Sequence, residues 1–188
     1  MKTDNQIRLM KSSLRNLLST LALVLALTAS LPARAADEKA KEAAQQATQN
    51  FLLADPGLGN FFTNSAGYAI LPNVGEGGFL IGAEHGKGLV YAKGKLIGKV
   101  TLTEVSVGLQ AGGGTFAEVV FFETADALNN FKQSQFTMNA QAKAAVAASG
   151  VAAAAKYQQG VAVFTLPKNG AMVNASVGGQ KLKFEALK

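Results

Sequence analysis

Twelve of the chain's 20 glycines fall between Gly75 and Gly114, and this density constrains the fold more than any other feature. Interior glycine weakens a helix, whereas a sheet uses it at tight turns, at bulges and where two backbones approach closely. Apolar residues in the same stretch alternate, the period of a strand with one buried face. Phe79, Ile81 and Ala83 share one parity, His85-Gly86-Lys87-Gly88 reads as a turn, and Leu89 to Ala92 runs back as the second arm of a hairpin. A second turn is predicted around Lys93-Gly94-Lys95. A strand from about Lys99 to Gln110 follows, with Val105, Val107 and Leu109 opposed to Glu104, Ser106 and Gln110.

The flanking segments complete a mixed fold. The run FAEVVFFE (116–123) is apolar on both parities, which predicts a strand covered on both sides. Thr124 supplies an N-cap and Asp126 a first-turn acid for a short helix to about Lys132, with Leu128 and Phe131 on one side. From Phe136 to Ser149 the alanines favour helix, yet apolar alternation persists for 14 residues and predicts a strand. Val151 to Tyr157 reads as a turn or short helix. Two strands, 161–166 and 171–177, are predicted about Pro167-Lys168-Asn169-Gly170, and Gly178-Gly179 turns the chain into a last strand near Lys181 to Phe184. Ahead of all this, Ala40, Ala43, Ala44, Ala47, Phe51 and Ala54 recur at helical spacing from Asp37 to about Ala54, and Asp55-Pro56-Gly57 ends that helix. Its alanine stripe gives little area to bury in lipid, which favours docking on the core over lying on a membrane. The expected class is α+β: an N-terminal helix on a mainly antiparallel, curled sheet of about eight strands, a sandwich or partly closed barrel, with a short helix after residue 124.

The first 35 residues have the pattern of an export signal. Four basic residues precede an uncharged, Leu-rich run of 15 (17–31), and Ala33-Arg34-Ala35 offers the small residues that a signal peptidase reads. The run is shorter than the roughly 20 residues that span a bilayer. Cleavage after Ala35 and a periplasmic product are therefore expected. The predicted organisation is a signal peptide (1–35), an amphipathic helix and turn (36–60) and one domain (61–188). Five of the 18 basic residues and one of the 12 acidic ones belong to the leader. The remaining 13 and 11 leave a charge near +2, too small a basic footprint for a nucleic-acid partner.

The catalytic inventory is poor. There is no Cys, no Trp and one His, which excludes thiol nucleophiles, thiolate metal sites and disulfides. His85 lies in a predicted turn with no G-x-S-x-G elbow to accompany it, and one imidazole cannot furnish the usual metal ligands. Neither GEGG (75–78) nor AGGG (111–114) leads into Lys-Ser/Thr and a helix, so neither reads as a phosphate loop. No catalytic residue, metal or cofactor is expected. Glu118 interrupts an apolar run, and a carboxyl there must be hydrogen-bonded or shifted in pKa; no second carboxyl is marked by spacing as its partner. The strongest local signal is basic: His85, Lys87, Lys93, Lys95 and Lys99 lie within 15 residues that hold no acid. With both turns at one end of the sheet, Lys87, Lys93 and Lys95 would converge on an anionic headgroup, each lysine worth on the order of 1 kcal/mol near a charged bilayer. An ordinary solubilising turn would look the same.

Four segments resemble, in order and spacing, the SYLF-domain family: 67–95 (GYAILPNVGEGGFLIGAEHGKGLVYAKGK), 105–124 (VSVGLQAGGGTFAEVVFFET), 136–150 (FTMNAQAKAAVAASG) and 161–179 (VAVFTLPKNGAMVNASVGG). The resemblance implies a non-enzymatic lipid-binding module, since eukaryotic relatives bind phosphoinositide-containing membranes and some fungal ones also bind actin. Where relatives often carry Lys-Ala-Gly-Phe, this chain has Glu76-Gly77-Gly78-Phe79, which removes one positive charge. For an exported bacterial member the implied partner is an anionic phospholipid or membrane surface at the cell envelope, with an envelope protein as the alternative.

Overall fold

A computed structural model describes residues 35–133, 136–138 and 145–187 and, within them, the side chains outside 79–82, 105–112, 136–138, 145–146 and 170–179. The predicted leader and the middle of the 136–149 run lie outside the described residues. Helix α1 covers 35–54, and its part from Lys41 onward belongs to the same unit as the sheet. Ala44, Ala47 and Phe51, at positions i, i+3 and i+7, are buried, so the alanine stripe docks on the core as its small area predicts. The helix ends where Asp55 N–H donates to the Phe51 carbonyl at 2.9 Å. The buried Asp55 carboxylate then accepts from the backbone N–H of Gly57 at 3.0 Å and of Ala152 at 2.7 Å. These bonds hold its pKa below the usual carboxylate range, the Ala152 N–H contributing most. They also pin the α1 terminus to α4 (Val151–Ala154), so of the turn or short helix expected after Gly150 the chain forms a short helix. Helix α2 (Leu58–Asn64) follows at once. Among the described residues no helix is long and apolar enough to cross a membrane.

The rest of the unit is one five-stranded sheet around three very long strands. β1 (Gly67–Ala92), β2 (Lys95–Phe122) and β5 (Val161–Ala186) are antiparallel neighbours in that order, β3 (Phe136–Met138) pairs antiparallel with β5, and β4 (Ala145–Val146) pairs parallel with it. Lys93 and Gly94, with φ of 47° and 74°, form the predicted tight turn between β1 and β2. The β1–β2 hairpin doubles over on itself. A Cβ at Gly67 would lie 2.6 Å from the Tyr91 carbonyl, and one at Gly88 would collide with the carbonyl of Ile70, so the two halves of β1 touch backbone to backbone. Register irregularities between Leu71 and Val74 and between Phe79 and Ile81 mark the bend. The sheet is thus strongly curled but not closed.

Curling gives the sheet an inner and an outer face. Inside, Ala69, Leu71, Val74, Val90, Val100, Leu102, Val120, Phe122, Val163 and Leu182 form the core. It is capped by α3 (Ala125–Lys132), whose Phe131 stacks on Phe122 at 4.6 Å between ring centroids. Thr124 is the N-cap of α3 as expected, its hydroxyl accepting from Ala127 N–H at 3.2 Å. Outside, α2 covers one end of the sheet: the Phe61 ring lies 5.3 Å from Phe121 and 5.2 Å from Phe164, and Phe62 lies 4.8 Å from Phe121. Phe116 to Phe122 is buried throughout, the doubly covered strand foreseen from its apolar run.

The α+β class and curled sheet stand, but three predicted turns do not exist. His85-Gly86-Lys87-Gly88 continues β1, because the glycines there make room for the first half of that strand on the inner face. Pro167-Lys168-Asn169-Gly170 and Gly178-Gly179 lie within β5. Pro167, which lacks an N–H, sits at the irregularity between Thr115 and Phe116 in the β2–β5 pairing, where a bulge tolerates it. Among the described residues about eight strands therefore become five, and the run from Phe136 yields β3 and β4. Substituting Gly88 by Ala should cost about 2–3 kcal/mol in a urea titration, because Ile70 and Leu71 backbone atoms occupy the space. A cost under about 0.5 kcal/mol would mean that the halves of β1 do not touch.

Candidate anion-binding face

Antiparallel pairing places partnered residues on the same side of a sheet, and residues two apart on one strand share that side. Across β1, β2 and β5 the register reads His85–Thr103–Lys181, then Lys87–Thr101–Lys183, then Leu89–Lys99–Glu185. His85, Lys87, Lys99, Lys181 and Lys183 therefore share the outer face at the end that α2 leaves open, and all five are exposed. Glu185 lies among them. Its carboxylate pairs with Lys183 at 2.9 Å, and its pKa is held below the usual range by that hydrogen bond and charge first, then by Lys99 and Lys87. Lysines from all three strands thus act on one point.

The predicted cluster divides. Lys87 and Lys99 come together with His85 one row away, but Lys93 and Lys95 do not join them. The irregularity between Val90 and Tyr91 shifts the pairing, and Lys93 and Lys95 border a recess of about 280 Å³ with Ala66, Ala92, Leu128 and Asn129, facing α3. The convergence of Lys87, Lys93 and Lys95 required a turn at His85, and that segment is strand. In their place stand Lys181 and Lys183, which the sequence reading did not single out. The sequence holds their signal: Lys181, Lys183 and Glu185 alternate with Leu182 and Phe184, so one parity is charged and the other apolar.

The inner face is acidic at the same level. Glu84, Glu104 and Gln180 form one row across the three strands. The Gln180 amide Nε2 donates to Glu118 Oε2 at 3.0 Å and to Glu84 Oε2 at 3.3 Å. Glu118 is fully buried, and among the described residues its Oε1 has no partner. Burial pushes the Glu118 carboxyl up to about 8 and that of Glu84 up to about 7, and it raises Glu104 as well. Glu118 therefore does have carboxyl neighbours; they come from strand register and not from sequence spacing. Among the described residues no three are arranged to hold a metal ion.

Residues 103–186 match the Ysc84 family, described as "Las17-binding protein actin regulator". The resemblance to SYLF-domain proteins holds over this segment. It includes most of β2, all of α3 and β5 and, with them, Lys181, Lys183, Glu118 and Gln180, while His85, Lys87 and Lys99 precede it. No curated protein matches the chain.

Removing Lys183 tests the convergence on Glu185. In Lys183→Ala the Glu185 carboxyl should titrate closer to its ordinary value, as followed by NMR of the side-chain carboxyl, while a further Lys99→Ala should move it again in the same direction. No second movement would mean that Lys99 points elsewhere.

Proposed function

We propose that this protein is a non-enzymatic lipid-binding module, exported to the periplasm through its leader, that contacts anionic phospholipid headgroups at the cell envelope through the outer basic face. The reading is supported above all by the juxtaposition of His85, Lys87, Lys99, Lys181 and Lys183, exposed on three adjacent strands with Glu185 among them. A face built on neighbouring strands presents its charges broadly. It suits the many phosphates of a bilayer better than one small anion in a pocket. The family resemblance supports the same class of partner.

Attraction of this kind is screened by salt, the Debye length being about 8 Å at 0.15 M. Co-sedimentation with phosphatidylglycerol-containing vesicles should weaken as salt rises, and purely phosphatidylcholine vesicles should bind poorly. The variant Lys87→Ser/Lys99→Ser/Lys183→Ser should lose roughly a hundredfold in affinity, at about 1 kcal/mol per lysine. Lys93→Ser/Lys95→Ser should lose less. Equal binding by the triple variant and the parent would remove the face from the account.

A second reading has one observation in its favour, the matching family's description as a Las17-binding protein. Under it the same face docks an acidic envelope protein. Retention of such a protein from periplasmic extract, with no retention on anionic vesicles, would favour this reading.

A further inference from the structure

The inner carboxyls take no part in the proposed function. Glu118 reaches from the Leu71–Glu118–Thr165 row into the Glu84–Glu104–Gln180 row, with one oxygen on Gln180 and the other buried and, among the described residues, without a partner. A buried oxygen with no donor is costly, and ionised it is costlier still. Gln180 bridges from β5 to both other strands, and its single NH₂ spends one bond on Glu118 and one on Glu84. Among the described residues the charged groups acting on the pair are all carboxyls: Glu84 and Glu104 act on Glu118, and Glu104 and Glu76 act on Glu84. They come from β1 and β2, and the group that β5 presents is the neutral amide of Gln180.

We propose that Glu118, Glu84 and Glu104 form a proton-holding latch, in which protons kept among the carboxyls let Gln180 fasten β5 to β1 and β2, and whose loss to solvent loosens the β5 pairing at that level. One protonated carboxyl lets two acids share one amide without facing each other as two charges in a dry site. With all three ionised, the neutral amide cannot offset the repulsion. The raised proton affinities of Glu118 and Glu84 agree with this arrangement. Lys181 follows Gln180 directly, so the latch lies behind the basic face, but the inference is independent of what that face binds.

The direction in pH is fixed by linkage. The folded protein holds these protons more tightly than the unfolded chain, so their contribution to stability is full below the ordinary glutamate range near 4.5 and is lost as pH rises through about 7 and 8. The test titrates the glutamate carboxyls of the parent protein by ¹³C NMR and compares thermal midpoints of the parent and Glu118→Gln. At least one carboxyl should titrate above about pH 6.5. Between about pH 5 and pH 8.5 the parent's midpoint should fall by about 5 °C or more, and that of Glu118→Gln, which is neutral at every pH, by less than half as much. Amides of residues 182–186 in the parent should lose exchange protection over the same range, after correction for intrinsic rates. Titration of every glutamate below about pH 5.5, or an equal fall in both proteins, would overturn the latch. Should Glu118→Gln fail to fold, the carboxyl titration of the parent decides alone.

Discussion

The contact on which the rest of the structure depends is that of β1 with itself. A 26-residue strand paired to a 28-residue partner would be a flat ribbon with both faces wet, and such ribbons are marginal in water. Doubling over converts it into a curled sheet with an interior. The missing side chains at Gly67 and Gly88 permit this, because a Cβ at either position would strike the carbonyl of Tyr91 or Ile70. Once the interior exists, α3 fills its mouth with Leu128 and Phe131, and α2 lays its phenylalanines on one end of the outside. The other end of the outer face carries the exposed lysines.

What that end presents follows from β5. It pairs with β2 along nearly its whole length, from Gly98↔Ala186 to Phe122↔Val161, so the last residues of the described chain lie beside the first of β2. Alternation then separates the charges by one backbone step. Lys181 and Lys183 go outward to lie near Lys99 and Lys87, while Gln180 goes inward to meet Glu84 and Glu118. Outward lysines stay solvated, so holding them side by side costs little. Inward, Glu118 cannot and Glu84 can only in part, and their proton affinity rises. One sheet thus carries basic groups on its wet face and proton-holding groups on its dry one.

Much of this was legible wherever local chemistry decides the outcome. The spacing of Ala44, Ala47 and Phe51, the cap at Thr124 and the doubly apolar run at Phe116 each have one low-energy reading, and the structure adopts it. Reading failed where glycine and proline have two uses. Gly86 and Gly88 look like a turn because turns need glycine, yet here they serve a close approach to Asn73 and Ile70, residues distant in sequence. Pro167-Lys168-Asn169-Gly170 has every mark of a turn, and a bulge in a long strand absorbs its proline. The site suffered from the same errors. A turn at His85 would have gathered Lys87 with Lys93 and Lys95; a continuous strand gathers it instead with Lys99 and Lys183. Which lysines meet is a property of register, and register between strands so distant in sequence is not written in any local pattern.

Where an anionic surface touches the protein is the decisive observable. Backbone amide NMR of the folded protein, titrated with bicelles containing phosphatidylglycerol, reads that location residue by residue. The predicted result is a contiguous set of shifts at His85, Lys87, Lys99, Lys181 and Lys183 that fades as salt is raised. Shifts confined to Lys93, Lys95 and α3, or unchanged by salt, would contradict it.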